Sequence, residues 1–457
     1  MAPVLCVIFV FCCLSGCAVD PSGPAFDRKG CRACHPVILD PAHDIGCVNC
    51  HSGRPEAQEK AVAHEGLVPR PAHPSSMDAV CGRCHAAETA RAKTSPHFTM
   101  SGMISAVWRA FFPGETMDLS RLPSDAPHSS PEALVGDLLR RRCLLCHIAV
   151  SGDGYSGTQR GTGCAACHTV LAKDPRDHRF RKGVPDDRCL ACHYGNFVGW
   201  DYYGRFEKDF EEDFRAPLVR GDLPDRPYGV EWHEMTPDVH RTAGLSCSNC
   251  HPGGPCTDER AVSCLECHEG STQRVSHPGP LLDLSRVGHR QEDREHVDCA
   301  VCHAVWSFQD RGRSLVRQDD PFWGEWVYLA VQGSREVELA VEKAVRCKDP
   351  SAAGYMLDRL TGEARPGIWF QLFEERRSWP VPFAEDLQGR LRVTRPLLDL
   401  HLSYIDADGR AIFDGLSPAP DARSIPYTPH TVGKADHFRT LAVAKRLMGR
   451  SENRDHR

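Results

Sequence analysis

The sequence predicts a long, mostly irregular part with short α-helices, followed by a C-terminal α+β domain. Three observations support this fold class. The pattern Cys-x-x-Cys-His occurs nine times between residues 31 and 303 and not once afterwards. The 457-residue chain contains 34 prolines and 38 glycines, which favour turns and loops over long regular elements. After residue 303, apolar alternation and an Asp-Gly turn indicate strands and a hairpin.

The nine motifs carry the most specific chemical signal, and we number them 1 to 9 in chain order. A Cys-x-x-Cys-His sequence is typical of c-type haem attachment. Its two thiols can reach the two vinyl groups on one porphyrin edge, and the histidine then lies under the ring as the proximal iron ligand. A zinc site would instead need pairs of cysteine pairs, with no fixed histidine after each. The motifs are Cys31–His35, Cys47–His51, Cys81–His85, Cys143–His147, Cys164–His168, Cys189–His193, Cys247–His251, Cys264–His268 and Cys299–His303.

The motifs predict nine covalently bound haems c. Eighteen of the 24 cysteines would form thioethers: Cys31, Cys34, Cys47, Cys50, Cys81, Cys84, Cys143, Cys146, Cys164, Cys167, Cys189, Cys192, Cys247, Cys250, Cys264, Cys267, Cys299 and Cys302. The proximal iron ligands would be His35, His51, His85, His147, His168, His193, His251, His268 and His303.

On these motifs the chain resembles a bacterial multihaem c-type cytochrome. The resemblance covers residues 31–303, about 60% of the chain, and identifies a broad class, not a subfamily. Nine haems in this part mean about one per 30 residues. We therefore expect a polypeptide wrapped around stacked haems, with few long helices, little sheet and much loop.

The motif spacing predicts three three-haem modules. First cysteines are separated by 16 and 34 residues in the first triplet, 21 and 25 in the second, and 17 and 35 in the third. The first and third triplets match within one residue, although chance agreement of small numbers is an alternative. The predicted division is a signal at 1–17, modules at 18–90, 91–200 and 201–310, and a haem-free domain at 311–457.

The N-terminus resembles a bacterial lipoprotein signal. Val4–Leu14 is apolar and too short to span a membrane. Leu14-Ser-Gly-Cys17 resembles a lipobox, which implies export, cleavage before Cys17 and a lipid anchor on that residue. Ala18 follows, so the resemblance implies the outer membrane. The early segment lacks Lys and Arg, which departs from the pattern, and a plain secretory signal is the alternative.

Composition and charge limit which classes of binding partner the sequence indicates. The formal net charge is −6 and no basic block or basic-aromatic stripe occurs, so the sequence does not indicate a nucleic-acid partner. We expect redox partner proteins, such as other cytochromes, and leave self-association open. Cys256 and Cys347 lie outside the motifs and the signal, and either pair in the oxidising compartment or stay as thiols.

Fifteen further histidines are available as second axial ligands. A second histidine gives a six-coordinate, low-potential haem, whereas methionine raises the potential. His430, in Tyr427-Thr-Pro-His430, is a candidate from the tail, where a returning strand would cap a haem. Seven others recur near the motifs: His64, His73, His178, His233, His240, His277 and His289.

Several elements are predicted from local patterns. Before motif 9 they are helices at Met100–Phe112 and Pro131–Cys143, the latter capped by Ser129–Ser130. The aromatic segment Tyr194–Trp232 packs against haems or forms a substrate pocket. The tail is predicted to hold a helix at Ser334–Arg346, strands at Gly367–Phe373 and Leu391–Thr394, a hairpin at Asp399–Phe413 and a basic helix at Val432–Arg450.

Two main functions follow, and the first is favoured. The first is an electron conduit between periplasmic donors and an outer-membrane or extracellular acceptor. The second is a terminal oxidoreductase resembling octahaem tetrathionate reductases or hydroxylamine oxidoreductases, with one five-coordinate haem. The pentahaem nitrite reductases use Cys-x-x-Cys-Lys, which this sequence lacks. A third hypothesis makes the haem-free tail a docking domain or lid.

Overall fold

The structure is a computed structural model in which only part of the chain is described. The described residues are 30–170, 176–195, 199–210, 215–221, 225–252, 261–268, 289, 291–347, 354–372, 374–379, 381–396, 398–419, 424–435 and 443. The predicted signal, Cys17, Cys256 and His277 lie outside them. Among the described helices, none is long and apolar enough to cross a membrane.

Short helices dominate the described residues up to motif 9, and the longest have 11 residues. The α-helices there are Val48–His51, Lys60–Ala63, Met77–Val80, Ala86–Thr94, Pro96–Thr99, Ser101–Phe111, Pro131–Arg141, Ala165–His168, Asp186–Leu190, Pro217–Arg220, Val239–Thr242, Cys247–Cys250, Cys264–His268, Gln291–His296 and Cys299–His303. Short 3-10 helices cover Gly30–Ala33, Cys81–Arg83, Leu119–Arg121, Cys143–Cys146 and Trp200–Tyr203.

The two helices predicted between motifs 3 and 4 are confirmed. Ser101–Phe111 buries Ile104 and Trp108 on its apolar face. Pro131–Arg141 starts at Ser130, whose Oγ accepts a hydrogen bond from the Ala133 backbone N–H at 3.2 Å. This bond satisfies one of the backbone donors that a helix leaves unpaired at its start.

A mixed four-stranded sheet forms the centre of the tail, in the order β12-β11-β4-β7. Its strands are β4 (Arg313–Gln318), β7 (Ile368–Gln371), β11 (Leu400–Ile405) and β12 (Ala411–Leu416). Strand β11 runs parallel to β4, while the other two pairings are antiparallel. The predicted hairpin is confirmed as β11 and β12, and Gly409 supplies the positive φ of +77° that its turn requires.

The remaining strands form smaller ladders. Strand β1 (Arg205–Glu207) pairs with β2 (Trp232–Glu234), β3 (Ser307–Arg311) with β8 (Glu375–Trp379), β5 (Tyr355–Leu357) with β6 (Ala364–Pro366), and β10 (Leu391–Pro396) with both β9 (Phe383–Glu385) and β13 (Ser424–Pro426). The predicted strands at Gly367–Phe373 and Leu391–Thr394 correspond to β7 and β10. Tail helices are Trp323–Trp326, Arg335–Cys347, as predicted, and the 3-10 turn Val327–Leu329.

One tail prediction is wrong at its start. The helix expected at Val432–Arg450 does not begin at Val432, because this residue forms a β-bridge with Ala304 instead. Residues 433–435 are also not helical, whereas Val443, the one later residue of this range that the structure describes, is helical. At Val432, pairing with the backbone just after motif 9 outweighs the local preference for a helix.

The largest core joins the segment before motif 4 to the tail sheet. Leu134 and Leu138 of one helix are buried in the same cluster as Trp369 and Phe370 of β7. Asp137 lies at this junction. Its Oδ2 accepts hydrogen bonds from the indole N–H of Trp369 at 2.7 Å and from Arg317 Nε at 3.1 Å. The helix that leads into motif 4 is thereby fixed to the sheet that follows motif 9.

Candidate haem-attachment and axial-ligand sites

Each motif folds as a single helical turn, so its functional side chains lie near one another. In motifs 1, 2, 3, 5, 6 and 7 the histidine backbone N–H donates to the carbonyl of the first cysteine at 2.8–3.0 Å. Residues three and four positions apart share one face of a helix, which brings both thiols and the imidazole to the same side. All eighteen motif cysteines are half-buried or exposed. This local arrangement fits covalent attachment of a flat ligand along one edge.

Five motif histidines face a histidine from outside the motifs. Each pair combines one motif imidazole with one non-motif imidazole, although the partners come from different parts of the chain. The ring centroids are separated by 5.9 Å for His35 and His64, 6.4 Å for His85 and His43, 5.8 Å for His193 and His97, 6.1 Å for His268 and His240, and 5.8 Å for His303 and His289.

These separations match the distance between two imidazole rings that bind one metal ion from opposite sides. A metal–imidazole bond is about 2.0–2.1 Å, so two opposed ligand rings have centroids about 6 Å apart. Ordinary aromatic pairs also fall at about 4.5–7 Å, so the distance alone does not identify a metal site. The pairs also share one composition, because each of the five contains one histidine that directly follows a Cys-x-x-Cys pair.

Hydrogen bonds to Nδ1 fix further histidine rings, including two motif histidines that are not in the five pairs. Among motif histidines, His51 Nδ1 lies 3.0 Å from the Val68 carbonyl, and His168 Nδ1 lies 2.8 Å from the Arg181 carbonyl. A metal-binding histidine commonly donates its other ring N–H to a carbonyl or carboxylate. This contact sets the tautomer and leaves Nε2 for iron.

Aspartates do the same for two of the non-motif histidines. Asp40 Oδ1 lies 2.9 Å from His43 Nδ1, while its other oxygen accepts the Phe180 backbone N–H at 2.9 Å. Asp238 Oδ1 lies 2.8 Å from His240 Nδ1. Burial opposes ionisation of Asp40, but its bonds to Phe180 and His43 outweigh that effect and lower its pKa. A carboxylate oxygen therefore orients each ring.

Three of the seven predicted second ligands belong to these pairs, namely His64, His240 and His289. His64 follows motif 2 in sequence but lies opposite the histidine of motif 1. His277 is outside the described residues. The segment after motif 2 therefore folds back to motif 1, which the order of residues in the sequence did not indicate.

The other three predicted ligands make no ring contact with a motif histidine among the described residues. His73 Nδ1 lies 2.8 Å from Ser75 Oγ, and His73 also bonds to the backbone of Ala149, two residues after motif 4. His178 is exposed, with Nδ1 3.4 Å from the Arg176 carbonyl. His233 is exposed on β2 and stacks on Phe206 at 6.2 Å. Their assignment as ligands stays a prediction.

Sequence reasoning did not single out His43 and His97, which the structure pairs with the histidines of motifs 3 and 6. A local signal exists for His43, because Asp40 stands three residues before it and reaches its ring. No comparable signal marks His97. It lies in the short helix Pro96–Thr99 and meets the histidine of motif 6 only through long-range packing.

Contacts between cysteines show which attachment sites are neighbours. Cysteine side chains of different motifs lie close enough to influence each other's pKa in motifs 1 and 2, 3 and 5, 4 and 6, 6 and 7, and 8 and 9, through the pairs Cys31–Cys47, Cys81–Cys164, Cys146–Cys192, Cys189–Cys247 and Cys264–Cys299. The spatial order therefore departs from chain order around motif 4, which adjoins motif 6, while motif 3 adjoins motif 5.

Close contact between three backbone segments supports this difference between spatial order and chain order. The Gly163 backbone N–H donates to the Ile148 carbonyl at 2.7 Å, and Cys164 N–H donates to the Ala72 carbonyl at 3.3 Å. Gly163 has a φ of +57°, and a Cβ there would lie 1.7 Å from the Ala72 carbonyl oxygen. Only glycine lets the start of motif 5 pass between the segments beside motifs 3 and 4.

The aromatic segment forms a cluster around Trp200, which is fully buried. Its ring meets Tyr228 at 5.4 Å and Trp232 at 5.1 Å, both edge-on. Tyr194 lies 5.3 Å from Tyr228. The rings pack on each other beside motif 6, so the choice between haem packing and a substrate pocket stays a prediction.

The described residues contain no cluster of three or more His, Cys, Asp or Glu side chains that could hold a metal ion. A haem iron needs only two protein ligands, which is the number that each histidine pair provides. No family model, curated protein or solved structure matches this chain.

Proposed function

We propose that the chain is a multihaem c-type cytochrome that carries electrons along nine covalently bound haems. The donors would be periplasmic, and the acceptor would lie at the outer membrane or outside the cell. The observation that supports this most strongly is the set of five histidine pairs at 5.8–6.4 Å, each containing one motif histidine.

The protein would hold and tune its haems through three kinds of residue. Motif cysteines attach the group, paired histidines supply both axial positions, and carbonyls or carboxylates such as Asp40 and Asp238 fix the imidazole planes. When bound, haem iron supplies a one-electron couple, and two histidines keep it six-coordinate and at low potential. Such ligation suits electron transfer and leaves no open position for a substrate.

The contacts between motifs support a continuous path. Neighbouring motifs lie side by side, including motifs that are distant in sequence such as 3 and 5, whose cysteines Cys81 and Cys164 are close enough to interact. Cys192 Sγ lies 3.7 Å from the Cys146 carbonyl oxygen, so motifs 6 and 4 are also neighbours. Haems attached at neighbouring motifs would be held close together, which is the expected role of the protein in an electron-transfer chain.

Export and a lipid anchor on Cys17 belong to this proposal, because covalent haem attachment occurs outside the bacterial cytoplasm. The anchor would keep the chain at the outer membrane, within reach of redox partner proteins such as other cytochromes. Labelling with radioactive palmitate tests the anchor, and Cys17→Ser is expected to abolish the label. Labelling that persists in this variant would contradict the anchor.

The alternative is a terminal oxidoreductase of the tetrathionate, nitrite or hydroxylamine class. It requires one iron with a free axial position. Among the described residues, no second imidazole ring contacts His51, His147 or His168, so motifs 2, 4 and 5 are where such an iron is best sought.

Turnover experiments distinguish the two functions. The haem-loaded protein, reduced with dithionite that is then removed, is mixed separately with tetrathionate, nitrite, hydroxylamine or an oxidised cytochrome c; the oxidised protein is mixed with hydroxylamine and excess oxidised cytochrome c as the electron acceptor. The conduit proposal predicts rapid reoxidation by the cytochrome and no multiple turnover of the small molecules. Sustained turnover of any of them, lost when the histidine of motif 2, 4 or 5 is replaced by alanine but kept in His401→Ala, would establish the enzyme instead.

A further inference from the structure

The tail returns to the last three haem motifs through one short segment, Tyr427–Gly433. Its backbone is held on both sides. The Val305 N–H donates to the Thr431 carbonyl at 2.8 Å, and the Val239 N–H donates to the Val432 carbonyl at 2.9 Å. We call residues 427–433 the ligand strap, because three of its contacts reach histidines that face or belong to these motifs.

The first contact is at motif 9. Its histidine, His303, has Nδ1 2.9 Å from the Gly433 carbonyl, and the Gly433 N–H donates to the His303 carbonyl at 2.9 Å. The opposing ring is His289, at 5.8 Å and nearly parallel, with an interplanar angle of 14°. The ligand strap therefore fixes the proximal ring of motif 9 in the tautomer that leaves Nε2 for iron.

The second contact is at motif 8. The Asp238 carboxylate is buried and orients His240, the ring that faces His268 at 6.1 Å. The other oxygen of Asp238 accepts the Val432 backbone N–H at 2.7 Å. The ligand strap thus holds Asp238 in place, and Asp238 in turn orients His240, the ring that faces motif 8.

The third contact involves His430 itself. Its backbone N–H donates to Asp201 Oδ2 at 3.0 Å, and its Nδ1 lies 3.5 Å from Asp201 Oδ1. Asp201 is fully buried and also accepts the Tyr427 hydroxyl at 2.6 Å. The 3.5 Å contact with the His430 ring is longer than the hydrogen bonds by which Asp40 and Asp238 hold the non-motif histidines that face motifs 3 and 8, at 2.9 and 2.8 Å.

Motif 7 lies next to this imidazole. The Tyr202 ring meets the His430 ring edge-on at 6.5 Å, and its hydroxyl donates to the Leu245 carbonyl at 2.6 Å, two residues before Cys247. Among the described residues, no other non-motif histidine is placed in this way beside motif 7.

We propose that His430 is the second axial ligand of the iron bound at Cys247–His251, oriented by Asp201 and delivered by the ligand strap. The tail then has a structural reason to exist: it completes the coordination of motif 7 and orients ligands of motifs 8 and 9. This inference rests on the proposed function, because it needs haem at motif 7.

The test compares the full chain with His430→Ala by intact mass and low-temperature electron paramagnetic resonance. We expect an unchanged haem count, the loss of one low-spin iron and the appearance of one high-spin iron. Added imidazole should restore the low-spin signal. His430→Met should instead keep that iron low-spin and raise its reduction potential, since methionine ligation raises potential.

His401→Ala is the matched control. His401 lies on β11 of the same tail with Nδ1 2.8 Å from Ser417 Oγ, so its loss should leave every iron signal unchanged. A His430→Ala spectrum identical to that of the unaltered chain would overturn the ligand assignment and leave the proposed function intact. An unaltered chain without covalent haem would overturn the proposed function itself.

A second variant covers the case in which His430→Ala fails to fold. Asp201→Asn keeps His430 but removes the carboxylate charge that faces its Nδ1. We expect an altered low-spin signal for one iron, with all others unchanged. Asp201→Asn with all iron signals unchanged would contradict the proposed orientation.

Discussion

Arg160 is predicted to raise the reduction potentials of the haems at motifs 4 and 6. Its side chain is 6% exposed and its Nη2 donates to the Leu145 carbonyl, inside motif 4, at 2.6 Å. Its Nη1 donates to the Ala191 carbonyl, inside motif 6, at 3.3 Å. Within the described residues, no carboxylate forms an ion pair with this guanidinium, so its positive charge acts on both motifs.

The size of the effect follows from Coulomb's law. A unit charge about 10 Å from an iron, at an effective dielectric constant of about 20, contributes roughly 1.7 kcal/mol. For a one-electron couple this is roughly 70 mV, since a tenfold change corresponds to about 59 mV. Reduction adds negative charge at the iron, so removal of Arg160 should lower the potential.

Spectroelectrochemical titration of Arg160→Gln measures this directly. Two of the nine midpoint potentials should fall by roughly 70 mV, with haem count and ligation unchanged. Arg160→Lys keeps the charge and should shift them much less. Arg188→Gln is a second control, because Arg188 Nη2 pairs with the exposed Asp187 at 2.9 Å beside motif 6. Nine unchanged potentials in Arg160→Gln, or equal shifts in both glutamine variants, would refute the reasoning.

Three further predictions concern the tail junction and the histidine pairs. Asp137→Asn should destabilise the tail by about 3 kcal/mol, because it weakens the partner of a buried guanidinium; urea unfolding followed by tryptophan fluorescence measures this. Burial opposes ionisation of Asp358, but the Arg140 hydrogen bond and backbone N–H groups outweigh it and lower its pKa. The stability it contributes is present at neutral pH and lost as pH falls through the folded-state pKa, so Asp358→Asn should destabilise at pH 7 but little in acid, as pH-dependent unfolding would show. His43→Ala and His97→Ala should each convert one low-spin iron to high-spin at constant haem count, and a paramagnetic resonance spectrum without that change would contradict the pair concerned.

Local elements were predictable because their determinants lie within a few residues. The helix Pro131–Arg141 has a serine cap, a proline in its first turn and a periodic apolar face. The β11–β12 hairpin has an Asp-Gly turn between alternating strands. The motif turns are equally local, since all their chemistry lies in five consecutive residues.

The pairing of ligands was not predictable, because it depends on long-range packing. His64 lies nearer to motif 2 in sequence but faces motif 1, and His97 crosses from the segment after motif 3 to motif 6. His430 meets Asp201 across 229 residues. Proximity in sequence therefore identifies candidate histidines but does not assign them to irons.

The role of the tail was also hidden in the sequence. Its strands predict a separate domain, yet Trp369 of β7 bonds to Asp137 in the helix before motif 4, 232 residues earlier. A parallel pairing such as β11 with β4 has no turn to reveal it. The apolar pattern shows that a face is buried but does not show which surface covers it.

The most direct test of the central claim is low-temperature electron paramagnetic resonance of the oxidised protein, with the number of covalent haems determined on the same sample by intact mass. The nine Cys-x-x-Cys-His motifs predict nine haems, and the five histidine pairs predict low-spin, six-coordinate signals from at least five irons. A chain that carries no covalent haem, or nine haems with predominantly high-spin iron, would contradict the account.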